Sequence, residues 1–197
     1  MSSYRVMTHM VAGYPDREGS MAAARGLIDG GAAYLEIQFP FSDPNADGPV
    51  IQAACGRALS GGFSLDEGFA LVEEIAGLSP GPIFIMSYAN PVFTLGIEAF
   101  VERALKAGAA GLIVPDLPIE ADEGLYAAGR RAGLAVVPVL VPTISPERLE
   151  LLLKADAEYL YIALRRGITG EESCRDRGGP RPLRRRGSQA LCGLRHP

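Results

Sequence analysis

The sequence predicts an α/β fold built on a parallel sheet, and three observations predict it. Apolar runs of strand length alternate with segments of helical period. The alternation repeats six times with no linker between repeats. Each helical segment is long enough to carry the chain back across a sheet, which parallel pairing requires. The 197 residues are 48% hydrophobic and 21% charged, so a disordered, collagen-like or disulfide-scaffold chain is excluded.

Residues 5–11 read as a first strand, closed by the turn signal Ala12-Gly13-Tyr14-Pro15-Asp16. Residues 20–29 read as a helix with Met21, Ala24, Leu27 and Ile28 on one face and Gly30-Gly31 as its stop. Residues 34–38 form the second strand, and 50–59 and 64–78 are helices. The second of these opens on Ser64 with Glu67 three places on, a capping box. Strands follow at 82–87, 111–114, 135–141 and 158–164, with helices at 97–107, 120–132 and 147–155. Ser145-Pro146 is the start signal of the last helix.

An open doubly wound sheet and a (β/α)8 barrel both fit six βα units. A G-x-G-x-x-G fingerprint is absent after the first strand, against dinucleotide binding. A barrel normally takes about 250 residues, so a barrel here lacks its last units.

Composition breaks near Gly170. Residues 1–170 carry 12 basic and 20 acidic side chains, whereas 171–197 carry seven Arg and three acids. Two units are therefore expected: a partial barrel over 1–170 and an Arg/Gly/Pro-rich tail over 171–197 with too few apolar residues to order itself. Codons for Cys192-Gly193-Leu194-Arg195-His196-Pro197, read one base later, can spell Ala-Gly-Phe-Gly-Ile, and those for Gln189-Ala190-Leu191 can spell Lys-Leu-Phe. That predicts a frameshifted tail replacing a hydrophobic strand.

The remaining composition sets the surroundings. Three cysteines (Cys55, Cys174, Cys192) give no disulfide framework, so a reducing cytoplasm is expected. There is no apolar run long enough to span a bilayer and no signal-peptide pattern at the start. A net charge of -4 argues against nucleic acid as the partner. No Cys/His spacing suits a metal, and His9 reads as a core or pocket-wall residue.

Parallel α/β folds place their chemistry on the loops that follow the strands. Glu36 lies inside an apolar strand, on the opposite face from Leu35 and Ile37. Burying an acid there is unfavourable unless it is hydrogen-bonded or functional, and burial suits a general acid/base. Asp43 and Asp47 lie in a Pro-rich loop, where aspartates ordinarily build turns; that reading is taken for Asp43, and both readings stay open for Asp47. Tyr88 and Asn90 follow the third strand. Asp116, bracketed by prolines, reads as a structural turn. Tyr161 precedes the Gly/Thr loop Gly167-Ile168-Thr169-Gly170, a weak phosphate-binding signal taken alone.

The run LEIQFPFSDPNADGPVIQ closely resembles the signature of the tryptophan synthase alpha-chain family, L-E-[LI]-G-x-P-[FY]-S-D-P-x-A-D-G-P-x-I-Q. Further segments follow in family order: HMVAGYPD, SYANPVFTLGIEAF, GLIVPDLPIEAD, VLVPTISPERL and YIALRRGITG. The resemblance spans about residues 5–172. It implies a TIM-type (β/α)8 barrel, incomplete here, and cleavage of indole-3-glycerol phosphate to indole and glyceraldehyde 3-phosphate in tryptophan biosynthesis.

Carried over, the resemblance makes Glu36 and Asp47 catalytic, and makes Tyr88, Tyr161, Thr169 and Gly170 substrate-binding. Phe41, Ser42, Asp43 and Pro44 become the face toward a beta chain in an alpha2-beta2 tetramer. It implies no cofactor on this chain, since pyridoxal phosphate would sit on the beta chain, and no metal. Gln38 departs from the usual Gly, and the G-F-G-I and S-G-S-A segments that hold the phosphate are missing. The alternative reading is an inactive or partner-dependent fragment of that subunit. Another phosphate-handling barrel enzyme fits the Glu36–Asp47 signature poorly.

Overall fold

Five strands pair in parallel in the order β1 (Met7–Val11), β2 (Tyr34–Gln38), β3 (Ile83–Met86), β4 (Gly111–Ile113) and β5 (Ala135–Val137). A second parallel ladder joins β6 (Val139–Leu140), β7 (Tyr159–Ala163) and β8 (Gln189–Gly193). The computed structural model of the protein describes residues 5–141, 143–154, 157–163 and 189–193. Pro138 separates β5 from β6. It has no N–H to give, and its carbonyl accepts from the Tyr161 N–H at 2.9 Å, so one predicted strand serves β4 on one side and β7 on the other. β8 comes up beside β1, so the parallel strands curl toward closure.

The helices are α1 (Arg17–Asp29), α2 (Pro49–Ser60), α3 (Leu65–Ala76), α4 (Ala89–Leu95), α5 (Ile97–Lys106), α6 (Leu125–Ala132) and α7 (Pro146–Lys154). Several differ from the sequence expectation, each for a local reason. α1 starts three residues early because the Asp16 carboxylate caps the Gly19 N–H at 2.7 Å. α4 lies where the sequence pattern predicts no helix; Asp116 Oδ1 accepts from the Ala89 N–H at 2.9 Å and satisfies a donor of its first turn. The predicted helix 120–132 breaks into a short 3-10 turn (Ile119–Ala121) and α6, because Glu123 (φ 50) and Gly124 (φ 90) take left-handed conformations between them. Ser64 caps α3 by accepting from the Glu67 N–H, as the capping signal predicts. Within the span 171–197, read as a tail without regular structure, Gln189–Gly193 forms β8 beside β7; the other residues of that span lie outside the described ones.

Packing separates two faces of the sheet. Leu35, Ile37 and Phe39 face the helices, in one core with Leu71, Val72 and Ile75 of α3 and with Val101 and Ala104 of α5. Phe39 centres its aromatic part, with edge contacts to Phe63 (5.9 Å) and Phe69 (5.2 Å) and a tilted one to Phe100 (6.2 Å). The opposite face carries Tyr34, Phe84, Met86, Tyr88, Ile113, Val137, Tyr159 and Tyr161. Gly111 is required there: a Cβ would come within 2.7 Å of the Phe84 ring and 2.9 Å of the Ala135 carbonyl oxygen. Among the described residues no helix is long and apolar enough to cross a membrane.

Phe39 is fully buried between β2 and three other rings. Phe39→Ala is expected to destabilise the fold by about 3–5 kcal/mol, read as a lower urea midpoint with an unchanged slope; a loss below about 1 kcal/mol would contradict this account of the core.

Candidate active site

β2 is buried along its whole length, so its alternation decides which side chains enter the sheet interior. Tyr34 lies in the interior cluster, and Glu36 and Gln38 follow at two-residue steps on the same face. Glu36 is 5% exposed and Gln38 fully buried. In register, Glu36 stands opposite His9 on β1 and Phe84 on β3.

The loop after β2 folds back over this face. Asp47, 3% exposed, turns its Oδ2 inward, where it accepts from Gln38 Nε2 and from the Tyr88 hydroxyl, both at 2.7 Å. Tyr88 accepts in turn from the Ala46 N–H at 3.0 Å, so its own proton goes to Asp47. The Asp47 carbonyl accepts from Gln52 Nε2 at 2.8 Å, and its N–H donates to the Pro44 carbonyl. A buried carboxylate stays compatible with the fold only with such donors, and charge-assisted bonds are the stronger kind.

Gln38 spends its amide fully. Its Nε2 serves Asp47 and approaches Cys55 Sγ at 3.6 Å, while Oε1 lies 2.8 Å from His9 Nε2. Burial pushes the Cys55 thiol from 9.0 up to about 11; the Phe41 backbone N–H works against this and the Asp47 charge works with it.

The fold therefore brings Glu36, Asp47 and Tyr88 to one side of the sheet, with Tyr161 of β7 in the same interior cluster. Thr169 and Gly170 lie outside the described residues. Of the four residues expected at a partner face, Ser42 and Asp43 are exposed and hydrogen-bonded to each other at 2.5 Å. Pro44 is buried, and Phe41 is half-buried with its ring stacked on Tyr88 at 5.5 Å. Asp116 has the structural role read for it, at the start of α4. His9, expected in a core or a pocket wall, is exposed and hydrogen-bonded to the buried Gln38 side chain. Among the described residues no cluster of His, Cys, Asp and Glu could hold a metal ion. In the sequence Gln38 stands out only as a departure from the family pattern; its two-residue spacing from Glu36 is the signal that puts both on one face.

Comparison with known proteins decides the family. The family model described as "Tryptophan synthase alpha chain" matches residues 2–178. This chain belongs to the tryptophan synthase alpha-chain family. The alpha chain of Helicobacter hepaticus is 42% identical over 175 residues, covering 86% of this chain and 66% of that one. The alpha chain of Methanosarcina acetivorans is 40% identical over 162 residues, covering 82% and 59%. Among solved structures, Mycobacterium tuberculosis tryptophan synthase superposes with TM-score 0.79 at 34% identity, over 86% of this chain and 65% of that one. The Legionella pneumophila alpha chain gives 0.76 at 32%, over 81% and 60%. This alpha-chain family member thus has the family's (β/α)8 barrel fold in part, and it spans about three fifths to two thirds of the length of these relatives.

The Cys55 shift makes one solution property measurable. Because the folded thiol keeps its proton above the pH at which the unfolded thiol loses it, its contribution to stability is whole below pH 9.0 and declines as pH rises toward about 11. The unmutated chain should therefore lose stability over that window more steeply than Cys55→Ala, as followed by urea unfolding at a series of pH values. Parallel profiles for the two proteins would contradict the burial of this thiol.

Proposed function

We propose that this chain is the alpha subunit of tryptophan synthase and cleaves indole-3-glycerol phosphate to indole and glyceraldehyde 3-phosphate. One observation carries the reading: a buried carboxylate on the β2 loop, Asp47, is tied by hydrogen bonds to the strand face that presents a second buried carboxylate, Glu36. Two acids held on one apolar face match the two demands of the reaction. The C3–C bond of the side chain breaks only after indole C3 gains a proton. The electron pair of that bond then returns to the ring as the adjacent hydroxyl becomes a carbonyl and gives up its proton.

In this reading Glu36 delivers the proton to C3 and takes back the hydroxyl proton, so it ends as it began. Asp47 accepts from the indole N–H and stabilises the positive charge that the ring nitrogen develops. The flat apolar wall needed by an indole comes from Tyr88 and Tyr161. Thr169 and Gly170 are assigned to substrate binding by the family resemblance alone. No cofactor enters the step.

A beta chain, carrying pyridoxal phosphate, is the proposed partner in an alpha2-beta2 assembly. Ser42 and Asp43 supply the exposed part of the face that meets it, with Phe41 and Pro44 supporting them from within. The proposed setting is the reducing cytoplasm, in keeping with a free buried Cys55.

Indole release from indole-3-glycerol phosphate, with and without a beta chain, tests the reading. Glu36→Gln should lower the rate by about 10²–10⁴-fold and Asp47→Asn by about 10²–10³-fold. Release that is indifferent to Glu36→Gln would refute its role. No release by the unmutated chain under either condition would refute the activity and favour the partial-subunit alternative.

A further inference from the structure

We infer that Gln38 is a positioning residue, which fixes Asp47 to the strand that carries Glu36, with His9 as its outer anchor. The inference rests on the function proposed above and adds to it a residue that the family signature does not supply, since that signature has Gly at this place.

The argument begins from hydrogen-bond direction. Asp47 Oδ2 already accepts from Tyr88, and a carboxylate oxygen has only acceptor sites to offer. The Gln38 atom 2.7 Å away must therefore be the NH2 end of the amide. This turns Oε1 toward His9, and Oε1 can only accept, so His9 Nε2 carries the proton in that bond. The chain runs one way, from the His9 N–H through the Gln38 amide to Asp47. Hydrogen bonds aligned in series polarise one another, which strengthens the grip on the final carboxylate.

Geometry gives the arrangement its purpose. Asp47 sits on a loop, and a loop ordinarily moves more than the strands it joins. Two of its tethers, Tyr88 and Gln52, come from other elements. Gln38 alone of these ties it to β2, where Glu36 lies two residues away on the same face, about 6.6 Å along the strand. Both acids then share one rigid reference, so their separation survives small movements of the loop. Gln38 is fully buried, and its amide is committed at both ends, which leaves it one orientation.

The test uses the full chain. Gln38→Met keeps the length and bulk of the side chain and deletes the amide; His9→Phe removes only the outer anchor, at an exposed position. With a beta chain present, Gln38→Met should lower kcat for indole release about tenfold with KM within about twofold, and His9→Phe about threefold, since a misplaced charge group harms the transition state more than ground-state binding. A retained kcat in both variants, or a loss confined to KM, would overturn the inference.

A second readout does not depend on activity. In ¹⁵N-histidine NMR of the unmutated chain, assigned with a His196→Gln variant, a protected His9 Nε2–H signal is expected. It should vanish in Gln38→Met and weaken in Asp47→Ala, where the amide loses its anchor. Persistence of that signal in Gln38→Met, or indifference to Asp47→Ala, would overturn the relay. If the unmutated chain releases no indole, the proposed function fails, and this second readout still decides whether Gln38 holds Asp47.

Discussion

Burial of β2 on both faces is the constraint on which the rest of the molecule depends. Outward, Leu35, Ile37 and Phe39 lock the strand to the helical layer through a cluster of aromatic rings. Inward, Tyr34, Glu36 and Gln38 enter the sheet interior. A shift of one residue in register would exchange these sets, bringing an acid and an amide into the apolar helix interface. The energetic weight of the outward face therefore holds the inward polar groups in place. The placement of the inward polar groups thus depends on the packing of the outward apolar ones.

The inward polar groups form one connected system. Asp47 receives Gln38 and Tyr88; Tyr88 receives the Ala46 N–H and stacks on Phe41; Gln38 reaches His9 and Cys55. β1, β2 with its loop, α2 and the start of α4 are thus joined in one network around the Asp47 carboxylate. Asp116 extends the system by capping α4 directly beside Tyr88. A polar network of this kind is tolerable in a core because its members satisfy one another.

Much of the scaffold was legible in the sequence. The strand 34–38, the cap at Ser64 and the start signal Ser145-Pro146 all follow from local patterns, because apolar alternation and capping involve residues a few places apart. What the reading missed depends on partners far along the chain or on a single backbone conformation. α4 needs Asp116, 27 residues away, at its first turn. Pro138 splits a strand whose two halves serve different neighbours. Glu123 and Gly124 break a helix through left-handed conformations. The tail segment Gln189–Gly193 pairs with β7 although its own composition carries little strand signal.

By itself the sequence determined the class of fold, the family, and the face of β2 on which Glu36 lies, since side-chain alternation along a strand is a local geometric law and the 18-residue signature is a local string. Only the tertiary structure decided that Asp47 turns inward to Gln38 and Tyr88, that His9 joins them, and that Ser42 and Asp43 stay outside while Phe41 folds in. The reason is physical: a loop's side chains are directed by whatever donors the neighbouring strands bring within hydrogen-bond reach. Those donors assemble only when β1, β2 and β3 have paired side by side.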